Sequence, residues 1–165
     1  MANITFKGNP VETIGELPAV GSKAPDFELT KVDLSNVGLS AFEGKKKILT
    51  INPSLDTGVC QATVRAFNKK AAERGDTVVL SVSSDLPFAA KRFCTAEGID
   101  QVVPLSVMRS RAFAKDWGVL MTNGPLAGLV ARAVVVLDEN NVVKYTELVP
   151  EIAQEPNYDA ALAAL

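Results

Sequence analysis

Ile48-Leu49-Thr50-Ile51-Asn52-Pro53-Ser54-Leu55-Asp56-Thr57-Gly58-Val59-Cys60 runs from an apolar stretch into a segment patterned as a helix. Lys47 to Asn52 reads as a buried strand. Thr57 suits a helix N-cap, and after it Val59, Thr63, Val64, Phe67 and Ala71 recur on one side at about 100° per residue. Gln61, Arg65, Lys69 and Glu73 fill the opposite side. Lys69, Lys70 and Arg74 suit the negative end of the helix dipole, and Gly75 supplies a stop. A strand therefore runs into a helix, and Cys60 falls on its first turn, inside the apolar arc.

Outward from this unit, Thr77 to Ser83 reads as a second buried strand. Asp85-Leu86-Pro87 supplies a cap and a first-turn proline for a helix that ends near Gly98 and carries Cys94. Val102 to Val107 reads as a third strand and Ser110 to Trp117 as a helix. Leu129 to Leu137 and Val142 to Val149 form a hairpin around Asp138-Glu139-Asn140-Asn141, and Tyr158 to Leu165 a last helix. Upstream, Phe27 to Lys31 alternates like a strand, and Ser40 with Glu43 suits a brief capped helical turn. Ile4 to Lys7 and Pro10 to Thr13 flank Gly8-Asn9, a pair suited to a tight turn. Strand, helix, strand, helix and hairpin describe an α/β fold, a thioredoxin-like sandwich with a central mixed sheet flanked by helices and an N-terminal β-hairpin.

With 165 residues, 47% hydrophobic and 22% charged, the chain suits a single domain spanning 1–165, and it has no internal repeat or linker-like tract. A net charge of −2 gives no electrostatic reason to expect nucleic acid. Lys45-Lys46-Lys47 reads as a solvated turn. The start lacks the pattern of a signal peptide, and no apolar stretch approaches the roughly 20 residues of a membrane span, so a cytoplasmic protein away from membranes is expected. Two cysteines are too few for a disulfide framework, and in a reducing compartment a redox role is favoured over a permanent staple.

The chain has no histidine, which removes Ser-His and Cys-His bases and the commonest metal ligand; no metal is expected. A free thiol of pKa about 8.5 is only about 3% ionised at neutral pH, so a nucleophilic cysteine needs help. A helix N-terminus provides part of it, and a cation should provide the rest. Arg132 is the best candidate, because it interrupts a strand that is otherwise almost all apolar. Leu129, Ala131, Ala133, Val135 and Leu137 share one face and Val130, Arg132, Val134 and Val136 the other. A charge among such neighbours needs a partner: either a thiolate with its substrate's oxygens, or an Asp or Glu near the strand end.

Cys94 reads differently. Relative to Phe88, Ala89, Phe93 and Ala96 it points to the other side of its helix, near the end where the dipole disfavours an anion, so it should be the less acidic thiol. If both helices start at one sheet edge, Cys94 lies about 12 Å below the level of Cys60. A disulfide needs Cα atoms within about 7 Å, so bonding would require local unwinding. Two inert buried thiols or a stable bridge remain open alternatives. Trp117, Phe113 and Phe67 suit helix-to-sheet packing, Phe88 and Leu86 are candidates for a substrate mouth, and Asp85, Asp138 and Glu139 read as caps and turn formers. Gly124-Pro125 reads as a loop.

Pro53, Thr57 and Cys60 match the Pro-x-x-x-Thr-x-x-Cys signature of peroxiredoxins. Ser84-Asp85-Leu86-Pro87-Phe88 and Arg92-Phe93-Cys94 resemble the bacterial thiol peroxidase subfamily. The resemblance extends from Gly8-Asn9-Pro10 through Gly124-Pro125-Leu126 and Ala131-Arg132-Ala133 to Glu155-Pro156-Asn157-Tyr158. It implies an atypical two-cysteine peroxidase in which Cys60 is peroxidatic and Cys94 of the same subunit is resolving, joined in turnover by a Cys60–Cys94 disulfide. It further implies thioredoxin as electron donor, a homodimer, no metal or organic cofactor, and a preference for alkyl or lipid hydroperoxides over hydrogen peroxide. Pro53, Thr57, Val59 and Arg132 would then meet the peroxide. One departure is visible: Asn52 stands where similar proteins often carry phenylalanine, and it reads as pocket lining outside the catalytic set. Two other classes stay in view: a thioredoxin-fold module exchanging protein disulfides, for which the expected Cys-x-x-Cys is missing, and a structural or holdase role.

Overall fold

Seven strands hydrogen-bond side by side in the computed structural model, whose described residues are 1–71 and 73–165. In chain order the strands are β1 (Asn3–Phe6), β2 (Asn9–Glu12), β3 (Leu29–Thr30), β4 (Asn36–Val37), β5 (Lys46–Asn52), β6 (Thr77–Ser83), β7 (Val102–Ser106), β8 (Ala133–Leu137) and β9 (Val143–Leu148). The helices are α1 (Gly58–Ala71), α2 (Pro87–Glu97), α3 (Arg111–Asp116) and α4 (Tyr158–Ala163), with a 3-10 turn at Leu39–Phe42. β1 and β2 pair apart, and the large sheet runs β4-β3-β7-β6-β5-β8-β9.

β5, β6 and β7 are parallel neighbours, whereas β8 on one side and β3 on the other run antiparallel to them and β9 pairs antiparallel with β8, so the sheet is mixed as expected. Parallel strands need crossovers, and α1 and α2 supply them, starting beyond the C-terminal ends of β5 and β6. Strand alternation then divides the core. Ile48, Val79, Val134 and Val136 face Val64 and Phe67 of α1, Ala90 and Phe93 of α2 and Ala161 of α4. Leu49, Ile51, Leu80, Val82 and Val135 face Phe27, Phe113 and Trp117 on the other side. The three aromatic residues named in the sequence as core are fully buried, and Phe113 stacks on Trp117 with centroids 5.2 Å apart.

The hairpin turn falls one residue earlier than the sequence suggested. Lys7 and Gly8, with φ of 51° and 78°, form a two-residue turn closed by the Phe6–Asn9 pair. This register sets Ile4 opposite Val11, both buried; a turn at Gly8-Asn9 would have lost that pairing. The hairpin packs through Ile4 and Val11 against Met121, Ala131 and Ile152.

Other elements also differ in extent. The expected strand at Phe27 to Lys31 contracts to β3, which pairs with the equally short β4. Gly38, not Ser40, caps the 3-10 turn. α1 ends at Ala71, and Ala72, in the helix the sequence extends toward Gly75, lies outside the described residues. The lysine run is not a solvated turn: Lys46 pairs with Asp76 at 3.4 Å, and Lys47 is fully buried. Lys47 Nζ donates to Asn141 Oδ1 at 2.6 Å, and burial pushes its pKa down against the pull of Asp138, Glu139 and Glu43. Its stem lies along the core face because β5 starts before the run has ended.

The predicted strand from Leu129 divides in two. Only Ala133–Leu137 joins the sheet as β8, while Leu129 to Ala131 pairs with Val119 to Met121 through the Leu120–Val130 bridge. Arg132 therefore sits at the break just before β8, although its carbonyl still accepts the Val149 amide at 3.0 Å.

Candidate active site

The loop between β5 and α1 is held by short polar contacts. Asp85 accepts the Ser54 hydroxyl at 2.7 Å and the Leu55 amide at 2.6 Å, while Ser54 Oγ accepts the Asp56 amide at 3.1 Å. Pro53 and Leu55 are buried, whereas Asp56, Thr57 and Gly58 face solvent. The Thr57 carbonyl accepts the Gln61 amide at 3.1 Å, so the first turn begins there as the sequence predicts. Its side chain does different work: Thr57 Oγ1 donates to the Ser54 carbonyl at 3.1 Å, which leaves the oxygen able to accept a bond.

Cys60 is 0% exposed on this first turn and lies on the inward side of α1 with Thr63, Val64 and Phe67. The earliest amides of a helix have no partner within it, so positive potential gathers near the sulfur. Val59 is half-buried, and its carbonyl accepts Thr63 Oγ1 at 2.8 Å. The exposed Thr57-Gly58 edge is the nearest open backbone along the chain.

Arg132 is 2% exposed, and no carboxylate pairs with it among the described residues. The acidic-partner alternative is thereby removed. Its Nε donates to the Ile152 carbonyl at 2.8 Å and its Nη1 to Asn52 Oδ1 at 3.2 Å. The Ile51–Ala133 register makes Asn52 and Arg132 the next cross-strand neighbours, on the α1 side of the sheet. Asn52 is fully buried, and its Nδ2 donates to the Thr50 carbonyl at 3.1 Å.

The guanidinium's influence reaches beneath α1. Tyr158 donates to Glu155 at 2.7 Å and lies 3.5 Å from Thr63 Oγ1, one helical turn from Cys60. Burial pushes the Tyr158 hydroxyl up to about 12, with the Glu155 carboxylate adding to the rise and Thr63 and the charge of Arg132 opposing it. A desolvated guanidinium without a carboxylate is costly, and such an arrangement is suited to receiving an anion.

Cys94 is half-buried, and burial pushes its thiol up to about 11. The inward face of α2 is Pro87, Ala90 and Phe93; Phe88 is 64% exposed. Cys94 thus flanks the buried face instead of opposing it, because α2 carries apolar residues on both sides and its periodicity misleads. Both cysteines are free thiols. Leu86 and Phe88 do line a surface depression, together with Ser84, Asp85 and Arg92. The helix bearing Cys94 is tied to the Cys60 segment by Arg65–Glu97 at 2.8 Å and Arg92–Asp56 at 3.5 Å, besides Asp85.

Two residues of this region carry more than the sequence assigned them. Asp85 is no cap: Leu86 occupies that position without a side-chain bond, and Asp85 instead reaches back to the Cys60 loop. Asn52, read as lining, holds the arginine. Only its departure from phenylalanine at that position marked it in the sequence.

The Redoxin family model matches residues 19–162. The chain is 58% identical over 165 residues to the thiol peroxidase of Mycobacterium tuberculosis, covering 100% of this chain and 99% of that protein. A peroxiredoxin-like protein from Aquifex aeolicus has a TM-score of 0.92 at 39% identity, covering 99% and 95% of the two chains. Thiol peroxidase from Chromobacterium violaceum, at 24% identity, shares the fold with a TM-score of 0.91 over 98% and 93%. The thioredoxin-like sandwich read from the sequence is the fold of these structures.

Proposed function

Since the chain belongs to the Redoxin family, as a thiol peroxidase of the peroxiredoxin type, we propose that Cys60 is its peroxidatic residue and Cys94 its resolving residue. The observation that carries this reading is Arg132, buried with no carboxylate paired to it among the described residues, on the sheet face covered by the helix whose first turn bears Cys60. The proposed site also includes Pro53, Thr57 and Val59, and the whole chain, 1–165, is taken as one domain.

The Cys60 thiolate attacks the terminal oxygen of a hydroperoxide. The O–O bond breaks, its electron pair leaves on the alkoxide, which takes up a proton, and Cys60 becomes a sulfenic acid. Thr57 Oγ1, its own proton engaged by Ser54, accepts the peroxide O–H, and first-turn amides donate to the peroxide oxygens. Arg132 stabilises the thiolate and then the charge moving onto the leaving oxygen. Pro53 shields the sulfur, and Val59 lines the approach.

Cys94 next attacks the sulfenic sulfur as a thiolate, hydroxide departs and is protonated to water, and a disulfide results. With its thiol pushed up to about 11, Cys94 is a poor nucleophile while α2 remains folded. Opening the end of α2 to water removes that burial penalty and frees the sulfur to travel, so the same motion supplies reach and reactivity. Thioredoxin then reduces the disulfide. The proposal takes alkyl and lipid hydroperoxides as preferred over hydrogen peroxide, and a cytoplasmic homodimer as the working form.

Peroxide-dependent oxidation of reduced thioredoxin tests the scheme. Cys60→Ser should abolish it, and Cys94→Ser should consume one peroxide per subunit and then stop. Sustained turnover by Cys94→Ser with thioredoxin would overturn the division of labour, and thioredoxin oxidation without peroxide consumption would support the disulfide-exchange module instead.

A further inference from the structure

Asn52 occupies the last position of β5 and is 0% exposed, an environment in which an amide side chain is retained only when its bonds are satisfied. Its two ends have different partners. Nδ2 is fixed by the Thr50 carbonyl at 3.1 Å and by Thr50 Oγ1 at 3.4 Å, which determines where Oδ1 points, and Oδ1 accepts Arg132 Nη1 at 3.2 Å. The second anchor of Arg132 is also neutral, the Ile152 carbonyl at 2.8 Å from Nε. Two neutral acceptors therefore aim the guanidinium, and neither cancels its charge. An aspartate would lose the donor that Nδ2 supplies to the Thr50 carbonyl, and its charge-assisted bond to the arginine would spend the positive field on itself.

We propose that Asn52 is a positioning residue for the peroxidase reaction: its neutral amide orients Arg132 while leaving the guanidinium's charge uncompensated for the anion formed at Cys60. This rests on the assignment of Cys60 and Arg132 under the proposed function. It also gives a role to the position at which the chain departs from phenylalanine, since an aromatic side chain offers the guanidinium no carbonyl acceptor.

The test measures the pH dependence of Cys60 alkylation and of the single-turnover peroxide reaction in a Cys94→Ser background. Asn52→Asp should raise the pH midpoint of both by about one unit, equivalent to about tenfold less thiolate below the midpoint. Asn52→Leu, similar in volume and neutral, leaves the guanidinium charged but unaimed, so it should slow the peroxide reaction and raise the midpoint less than the aspartate does. Asn52→Asp with an unchanged midpoint overturns the proposal. Should Asn52→Asp fail to fold, a cycle of Asn52→Leu with Arg132→Met decides: the leucine should slow the reaction when Arg132 is present and have no effect when it is absent, and additive effects overturn the proposal. Arg132→Met with unchanged midpoint and rate would instead remove the activation scheme itself. The loss of Asn52's role alone is seen when Arg132→Met slows the reaction and Asn52→Asp does not shift it.

Discussion

Asp85 receives the Leu55 amide at 2.6 Å, so the residue leading into the Cys94 helix holds the loop leading into the Cys60 helix. The same carboxylate accepts Ser54 Oγ, whose neighbouring carbonyl accepts Thr57 Oγ1. One side chain thereby sets the conformation of the segment that carries the proposed peroxide-binding groups. Asp85→Ala leaves the Leu55 amide and the Ser54 hydroxyl without this acceptor, a loss of about 1–3 kcal/mol. Chemical denaturation should register that loss. Because Thr57 is misplaced as well, the rate of Cys60 oxidation by peroxide should fall at temperatures where the variant is still fully folded. An unchanged oxidation rate in the folded variant would leave Asp85 with a purely structural role.

The two thiols should separate by reactivity. Burial holds the Cys94 thiol up at about 11, so at pH 8 it carries roughly two orders of magnitude less thiolate than an ordinary cysteine. Mass spectrometry of iodoacetamide-treated, reduced native protein should find Cys60 modified first and Cys94 modified slowly, with Cys94 reaching the rate of a free thiol in urea. Labelling of native Cys94 at the free-thiol rate would contradict its protected state.

Glu151 supplies a pH-dependent link between the hairpin and the arginine. Its carboxylate accepts Thr5 Oγ1 at 2.6 Å and the amides of Lys7, Gly8 and Ala153, and these bonds, led by that of Thr5, hold its pKa down at about 2. The adjoining residue, Ile152, presents its carbonyl to Arg132. A depressed carboxylate stabilises the fold fully above its unfolded pKa of about 4.3, and that contribution is lost as pH falls through about 2. Glu151→Gln should therefore lower the Tm at pH 7 and make little difference near pH 2. An equal loss at both pH values would show that the carboxylate's ionisation is irrelevant.

The parts of this architecture that were legible in the sequence are those with strong local signals. β5, α1 and β6 declare themselves by apolar runs and by a single helical arc. Weak or long-range determinants were hidden. β3 and β4 have two residues each, too few to show a period. Gly8 fits either position of a tight turn, and only the buried Ile4–Val11 pair chooses between them. The lysine run reads as solvated because the partner that admits Lys47 to the interior, Asn141, is 94 residues away. The burial of Arg132 could be inferred from its apolar neighbours, but its anchor on Asn52 depends on strand register. Asp85 precedes Leu86-Pro87 in the pattern of a cap, while its actual partners lie in the loop that follows the neighbouring strand β5.

Gly98 provides a handle on the helix opening that the proposed Cys60–Cys94 disulfide invokes. It closes α2 in the left-handed conformation, with φ of 64°, and beside it the Cys94 carbonyl accepts the Ile99 amide at 2.9 Å. A Cβ added at Gly98 meets nothing within 4 Å, so Gly98→Ala acts through backbone strain alone, about 1 kcal/mol. That strain falls on the closed form of the helix end that carries Cys94 and is relieved when the end opens. If opening precedes attack on the Cys60 sulfenic acid, the open population, and with it the rate of disulfide formation, should rise about fivefold. Quenched-flow analysis after a single peroxide pulse separates the steps: Cys60 oxidation should keep its wild-type rate while disulfide formation accelerates. An unchanged or slower disulfide step would mean that the sulfurs meet without unwinding this end of α2, and the motion would then have to be sought in the first turn of α1.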